Sequence, residues 1–435
     1  MAEINKRTRR MAGLLSARLP DIGLDQVADS RSAQGIRWDL VPLLTAPLVA
    51  MASGLKSFAD TEKLTEEMST AMCKKLGIKR RIPDTTMRNT MVKISPNEFR
   101  KAMRRQTKAA HKRKALMPDG FPFGVVAIDG KYTAIDGWDG RYSQRQSDAD
   151  GIADYGLVRT INCSLVSSRA KVCIDASPIP SRTNEMGQFK PVINALVGTY
   201  KRTKMFAMVS ADAGSCSEEN GRHVRSKGLH YIFGLKGSQP TLQTEARAHL
   251  ARRTTQQAEA VTVDIRGKEE VTRRLYMTTE MAGFLDWSHL QTTLRVESEI
   301  VDIETGEVVP QKEEDVNRYF ISSLEGDKLT SDQWLKLVRM HWGVENNCHN
   351  TWDTAFKEDD RRWIMTSPKG AMNVMLLRRI AYNMLTLFRT VTQRSEENRG
   401  TPWKDILRWV YNTLISAQKT DLDGLRERTA VLAEI

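Results

Sequence analysis

His341, Glu345, His349 and Asp353 recur at every fourth position within MHWGVENNCHNTWDTAFKEDDRR, residues 340–362. Side chains of these types bind metal ions or carry protons. Steps of four advance only about 40° around a helix of 3.6 residues per turn, so the four follow one slowly drifting stripe. Two readings fit that stripe: a row of ligands, or the solvated face of an amphipathic helix.

Two further carboxylates stand where short apolar runs end. Phe123-Gly-Val-Val-Ala-Ile has the β-branched content of a buried strand and delivers Asp129 just before Gly130 and Lys131. Met205-Phe-Ala-Met-Val-Ser-Ala repeats the pattern and delivers Asp212 before Ala213 and Gly214, with a helix expected from Ser217 onward. Either aspartate alone could be a turn former or a helix cap. Placed at adjacent strand tips and joined by a third carboxylate from a helix, they could hold two hard divalent cations about 4 Å apart, as in-line phosphoryl displacement requires.

The segments AIDGK (127–131), RTNEM (182–186), VSADAG (209–214), YIFGLKGSQPTL (231–242), RYFISSL (318–324) and RMHWGVENNCHNTWDTAFKEDDRR (339–362) follow one another in the chain. In that order they resemble the H-repeat-associated (ISAs-type) group of insertion-sequence transposases, over roughly residues 30–390. The resemblance implies a ribonuclease-H-like DDE core in which Asp129 and Asp212 are the first and second catalytic, metal-binding aspartates and Glu345, in HWGVEN, is the third acid. It implies two Mg²⁺ ions, with Mn²⁺ able to substitute. One activates water or a DNA 3′-hydroxyl and the other stabilises the leaving oxygen. Double-stranded DNA, as transposon ends and target, is the implied partner, held by a homodimer in a synaptic complex.

Departures from the wider pattern fall around the third acid. Val338, His341 and Trp352 occupy the spacings where related transposases with a β-rich insertion carry tyrosine, arginine and lysine. His341 and His349 are expected to take over as phosphate donors, and Asn346 to buttress the glutamate. Lys131 stands where an arginine-glycine commonly follows the first aspartate, and is an expected DNA contact, as are Lys236 and Gln239 in GLKGSQ. Arg362 is expected to hold a phosphate or pair with an acid. Other readings of the same residues are a degenerate or domesticated transposase that binds DNA without cutting, and a stand-alone nuclease of the same fold. A zinc hydrolase built on His341, Glu345 and His349 is a further possibility, although the chain lacks an HExxH motif.

The 435 residues are enough for two or three domains with a substantial core, and 40% apolar residues suit a globular chain. Lys+Arg number 66 against 53 Asp+Glu, a net charge of +13 that fits an anionic partner. Five cysteines, Cys73, Cys163, Cys173, Cys216 and Cys348, form no CxxC pair, which argues against a disulfide framework or zinc ribbon. No apolar run reaches about 18 residues and no signal-peptide core follows the N-terminus, so no membrane partner is expected. The expected location is the bacterial cytoplasm, at the nucleoid when on DNA.

The elements that must position these residues read as an α/β chain. It comprises a ribonuclease-H-like core (mixed five-stranded sheet with flanking helices) interrupted by a β-rich insertion, plus a helical N-terminal domain. Residues 1–118 are expected to be helical and DNA-binding, with a buried helix at 40–52, an amphipathic helix from Leu64 to Leu76, and a helix-turn-helix-like pair completed by Thr85 to Val92 after the Asp84 cap. Arg104, Arg105, Lys108, Lys112 and Arg113, spaced by threes and fours, suggest a helix surface for the DNA backbone.

Pro118 to Pro122 marks a boundary, and residues 119–239 form the first part of the core, with strands at 124–129, 159–166, 171–176, 205–211 and 229–235. The step of 133 positions from Asp212 to Glu345 exceeds what one helix and one strand need. Residues 240–325, with alternating runs at 260–265 and 293–301, are therefore expected as a β-rich insertion. Trp287 within it reads as a core residue. Residues 326–395 complete the core, with a helix at 370–390, and 396–435 form a C-terminal helical segment with a helix at 403–417.

Overall fold

The computed structural model describes residues 2–422 and 425, apart from 33, 35, 149 and 152. Val125 to Ile128 open strand β1 (Val125–Ile135), where side chains alternate between two apolar layers. Val126 and Ile128 join Phe189, Val192, Ile193 and Leu196 on one side; Val125 and Ala127 join Trp334, Leu335 and Val338 on the other.

Around β1 the chain builds one mixed sheet of ten strands. The other nine are β2 (Ser143–Ser147), β3 (Asp154–Leu165), β4 (Cys173–Pro178), β5 (Met208–Ala211), β6 (His230–Leu235), β7 (Ala260–Arg266), β8 (Glu269–Thr278), β9 (Thr292–Asp302) and β10 (Asn317–Ser322). Their order is β2-β3-β1-β5-β6-β10-β9-β8-β7, with β4 paired to the far part of β3. β5 and β6 run parallel to β1, and the other pairings are antiparallel.

This order alters two expectations. The inserted strands do not form a sheet of their own, because β10 pairs along the free edge of β6 (Tyr319↔Leu235 to Ser322↔Ile232) and continues the central sheet. Strand β1 also runs past Asp129: β3 follows it to Ile135↔Gly156, whereas β5 follows only to Ile128↔Ala211. Asp129 thus lies in mid-strand, one residue beyond the end of its parallel neighbour.

Helices α1 (Ala2–Ile22), α2 (Leu40–Ala52), α3 (Phe58–Glu67), α4 (Thr70–Leu76), α5 (Asp84–Lys93) and α6 (Pro96–Lys112) precede the sheet. The amphipathic run from Leu64 to Leu76 is two helices, because the Ser69 hydroxyl accepts from the Met72 N–H and starts a new one. Asp84 lies inside the first turn of α5, with Pro83 at the cap position. Next come α7 (Glu185–Tyr200), α8 (Glu218–Ser226, with Ser217 as cap), α9 (Pro240–Leu250), the short α10 (Glu313–Val316) and α11 (Ser331–His341). The C-terminal part adds α12 (Asn350–Thr354), α13 (Pro368–Leu387), α14 (Glu396–Arg399) and α15 (Trp403–Ser416).

Helix α13 is almost wholly buried and shares one apolar core with α2, α3, α5 and α15. The N-terminal helices are thereby packed against the segment that follows the third acid. Trp287 is 3% exposed within the core beneath α7 to α9. Of the expected C-terminal segment 396–435, residues 423–424 and 426–435 lie outside the described residues.

Candidate active site and nucleic-acid cleft

Asp129 is mostly buried between two carboxylate-bearing layers. Burial first, then Glu345, Glu185 and Asp212, push its carboxyl up to about 7. Asp129 on β1, Asp212 just after the end of β5 and Glu345 in the segment after α11 thus lie near enough for the charges of the last two to be felt at the first. Asp212 is exposed and also caps: its Oδ1 accepts from the Ser215 N–H at 3.2 Å, starting the short turn Ala213–Ser215. Among the described residues, no three His, Cys, Asp or Glu side chains are grouped closely enough to hold a metal ion.

The four-residue stripe does not survive as one face. Helix α11 ends at His341, a π-helical stretch spans Val344–His349, and α12 follows. The wider π turn breaks the 40° drift assumed for an α-helix and re-aims each side chain.

His341 is buried, with Nδ1 3.0 Å from the Ser210 hydroxyl, and burial pushes it down to about 4. Glu345 is exposed at the mouth of a cleft. His349 Nδ1 lies 3.4 Å from Asp129 Oδ2; burial, then Arg379 and Lys131, push this imidazole down to about 3. It meets Asp129 as a neutral ring rather than as an ion-pair partner. The three residues of the zinc reading thus face three different surroundings. Val338 and Trp352 are both core residues.

Several expected DNA contacts have partners within the protein. Lys131 is 7% exposed and sits between Asp353 (2.9 Å) and Asp359 (3.1 Å). Burial lowers its pKa, but Glu358, Asp353 and Asp359 outweigh that and hold it above the ordinary lysine value.

The basic helix α6 is largely a packing element. Arg104 joins Arg100 on the buried Asp175 (2.6 and 2.8 Å), Arg105 donates to the Ile22 and Gly23 carbonyls, and Arg113 grips Asp21 with both terminal nitrogens. Lys108 and Lys112 are exposed. Lys236 is also exposed, on a loop tied to the turn after Asp212: Ser238 Oγ donates to the Ala213 carbonyl and Gln239 Nε2 to that of Cys216. Arg362 is half-buried, and its Nε has no partner.

Glu358, in the charged run Glu358-Asp-Asp-Arg-Arg362, is fully buried. Arg379 holds it at 2.9 and 3.2 Å, and Arg378 lies 3.5 Å away. Arg379 also donates to Asn162 Oδ1 at 2.9 Å and stacks 4.2 Å over the Trp352 ring. Asn162 is the β3 residue opposite Asp129, and Trp352 lies against His349. This network braces both sides of the acidic centre.

Other relevant residues went unassigned from sequence alone. A cleft of about 920 Å³ opens between α11, the π-helical stretch and the inner faces of β7 to β9. Glu345, Asn346, Trp342, Arg169, Lys171 and Arg318 are among its walls. Arg318 and Trp342 lie inside conspicuous segments, yet nothing in their spacing marks them as neighbours; packing of the end of α11 against β10 brings them to 4.9 Å.

Residues 144–384 match the family described as "Transposase DDE domain", and residues 23–106 match one described as "DDE_Tnp_1-associated". Two Escherichia coli K12 proteins align over 367 residues, 83% of this chain and 88% of each relative: YbfL at 24% identity and "H repeat-associated putative transposase YhhI" at 23%. A cryo-EM structure of a piggyBac transposase synaptic complex with hairpin DNA aligns with 98% of this chain and 79% of its own, at 13% identity and a TM-score of 0.42.

Proposed function

Because the chain belongs to the Transposase DDE domain family, we propose that it cuts the ends of an insertion sequence and joins them to target DNA. In this reading Asp129, Asp212 and Glu345 are the acids of a single ribonuclease-H-like active centre. The observation that carries it is the placement of Asp129 one residue beyond the end of the parallel β5, which leads into Asp212, with His349 of the stretch that carries Glu345 3.4 Å from Asp129; burial first, then Glu345, Glu185 and Asp212, push the Asp129 carboxyl up to about 7. Carboxylate oxygens are the donors that a hard divalent cation takes, although among the described residues they are not grouped closely enough to hold one. When bound, Mg²⁺ or Mn²⁺ would supply Lewis acidity at the scissile phosphate and lower the pKa of the attacking water or 3′-hydroxyl.

The protein's own part is placement. The sheet fixes Asp129 and the capped turn fixes Asp212. The neutral His349 orients the Asp129 carboxyl without neutralising it. The cleft beside Glu345, with Lys171 and with Arg169 and Arg318, which are paired to Asp119 and Asp315 at its wall, receives the duplex, and Lys236 extends that contact beyond Asp212. Two ends must be held together for transposition, which calls for a pair of subunits on the DNA. No helix among the described residues is long and apolar enough to cross a membrane; the bacterial cytoplasm, where the DNA is, is the proposed setting.

A second reading, DNA binding without cutting, draws support from Val338, His341 and Trp352. All three are buried, at the spacings where related transposases carry tyrosine and the phosphate-gripping arginine and lysine. The two readings separate on a labelled duplex carrying the element's end. Wild type should cut it in Mg²⁺, while Asp129→Asn, Asp212→Asn and Glu345→Gln bind without cutting. Cutting by any of these variants would refute the assigned acids, and tight binding without cutting by wild type would favour the second reading.

A further inference from the structure

Strand β7 ends the sheet, and among the described residues it pairs with β8 alone. Its side chains divide by alternation. Thr262 and Arg266 face the cleft, and Asp264 between them is held by Arg273 (2.8 Å) and Arg339 (2.5 Å). Val261, Val263 and Ile265 point to the other face and are 51%, 56% and 63% exposed.

The main chain divides in the same way. Strands β7 and β8 join through the two-residue turn Gly267-Lys268, so the flanking pair Arg266↔Glu269 is hydrogen-bonded, and Asp264 and Thr262 turn their N–H and C=O groups toward β8 in the same sense. The N–H and C=O groups of Val261, Val263 and Ile265 therefore point out of the free edge. An exposed edge with an apolar row is a template for another strand.

This edge matches itself. Antiparallel pairing of two copies about Val263 sets Val263 against Val263 and Val261 against Ile265, so each outward main-chain group is hydrogen-bonded and each apolar side chain meets another. A slip of two residues either way sets Val263 against Glu259 or Gly267 instead. The charges also fit. Within each copy Arg274 stands beside Val261 and Glu270 beside Ile265. The pairing thus gives a cross-strand row of Arg274, Val261, Ile265 and Glu270, with unlike charges flanking each apolar pair. On the cleft face Asp264 meets Thr262 and Arg266 meets Ala260, so no like charges stand directly opposite.

We propose that β7 is the interface between two copies of this chain, joining their sheets edge to edge about Val263. The two-fold axis of such a junction is perpendicular to the sheet, so the faces are continuous and both clefts open to the same side. The choice of a second copy as occupant rests on the reading above, in which a pair of subunits holds two DNA ends.

Disulfide trapping reads the register. It uses full-length protein in a Cys73→Ala background, since Cys73 is half-buried and the other four cysteines are buried. Hydrogen-bonded antiparallel partners have Cα atoms about 5.5 Å apart, within the reach of a disulfide. Val263→Cys should therefore link two copies under oxidised glutathione. Val261→Cys alone should not, because its counterpart lies four residues, about 13 Å, along the other strand. Val261→Cys combined with Ile265→Cys in one chain should link again. Equal linking by Val261→Cys alone would overturn the register.

Val263→Lys alters an exposed side chain, so circular dichroism and the melting temperature should stay as in wild type. It should raise the dimer dissociation constant by at least about tenfold in sedimentation velocity, because two ammonium groups then face each other on the axis. Wild type that stays monomeric both alone and on the end duplex, or Val263→Lys that dimerises as wild type does, would overturn the interface. Neither readout involves cutting. Wild type that cuts the end duplex, with no linking through Val263→Cys, would overturn the edge pairing and leave the three-acid reading standing. Specific linking through Val263→Cys, with no cutting by wild type, would uphold the pairing and count against the cutting.

Discussion

A buried aspartate beside a neutral histidine makes the acidic centre a source of pH-dependent stability with a definite sign. The folded chain pushes the Asp129 carboxyl up to about 7, so the folded state holds that proton more tightly than the unfolded one. Its contribution is complete below the ordinary aspartate range, near pH 4, and is lost as pH rises through about 7. His341 and His349 act in the opposite direction. They are pushed down to about 4 and about 3, so their contribution is complete above about pH 6.5 and declines as pH falls below it. Comparing wild type with Asp129→Asn cancels the histidines. In metal-free buffer the melting temperature of wild type relative to Asp129→Asn should fall steadily between about pH 4 and pH 7. A difference that stays flat across that range would show that Asp129 ionises normally.

The brace behind the centre depends on one pairing between a loop and a helix. Glu358 and Arg379 are both fully buried, so removing either partner strands a charge in the core. Glu358→Ala or Arg379→Ala should cost about 3–5 kcal/mol in urea unfolding, and a loss below 1 kcal/mol would mean that the site relaxes or admits water.

This element was not legible from sequence. The acidic run 358–360 has the composition of a solvated loop, and only tertiary packing on α13 reveals Glu358 as interior. The strands of the core were legible because their apolar runs are dense and end at turn residues, although the length of β1 depended on its partner β3. The four-residue stripe failed for a local reason: periodicity assumes an α-helix, and the π-helical stretch at Val344–His349 has no sequence signature. The sequence names Asp129, Asp212 and Glu345 from their segments as the proposed acids, whereas the seating of Glu185 against Gly130 is visible only in the fold. On α6, charge spacing could not reveal that Arg104, Arg105 and Arg113 have Asp175, two carbonyls and Asp21 waiting at the other end.

Taken together, these placements favour the cleft over α6 as the proposed DNA surface. Arg104→Ala should destabilise the fold by about 1–3 kcal/mol by leaving Asp175 with Arg100 alone, with the salt dependence of DNA binding unchanged. Lys171→Gln, in the cleft wall, should instead weaken binding across sequences and reduce the slope of log affinity against log salt by about one. The opposite pattern in a salt titration would return the duplex to α6. The continuous ten-stranded sheet has a consequence for synthesis as well. Glu345 follows β10, which closes onto β6 only after the whole insertion has emerged, and it lies 216 positions after Asp129. Pairings so distant in the chain form late. A nascent or prematurely terminated polypeptide that stops before Glu345 carries Asp129 and Asp212 alone, and under the proposed function it could not cut DNA.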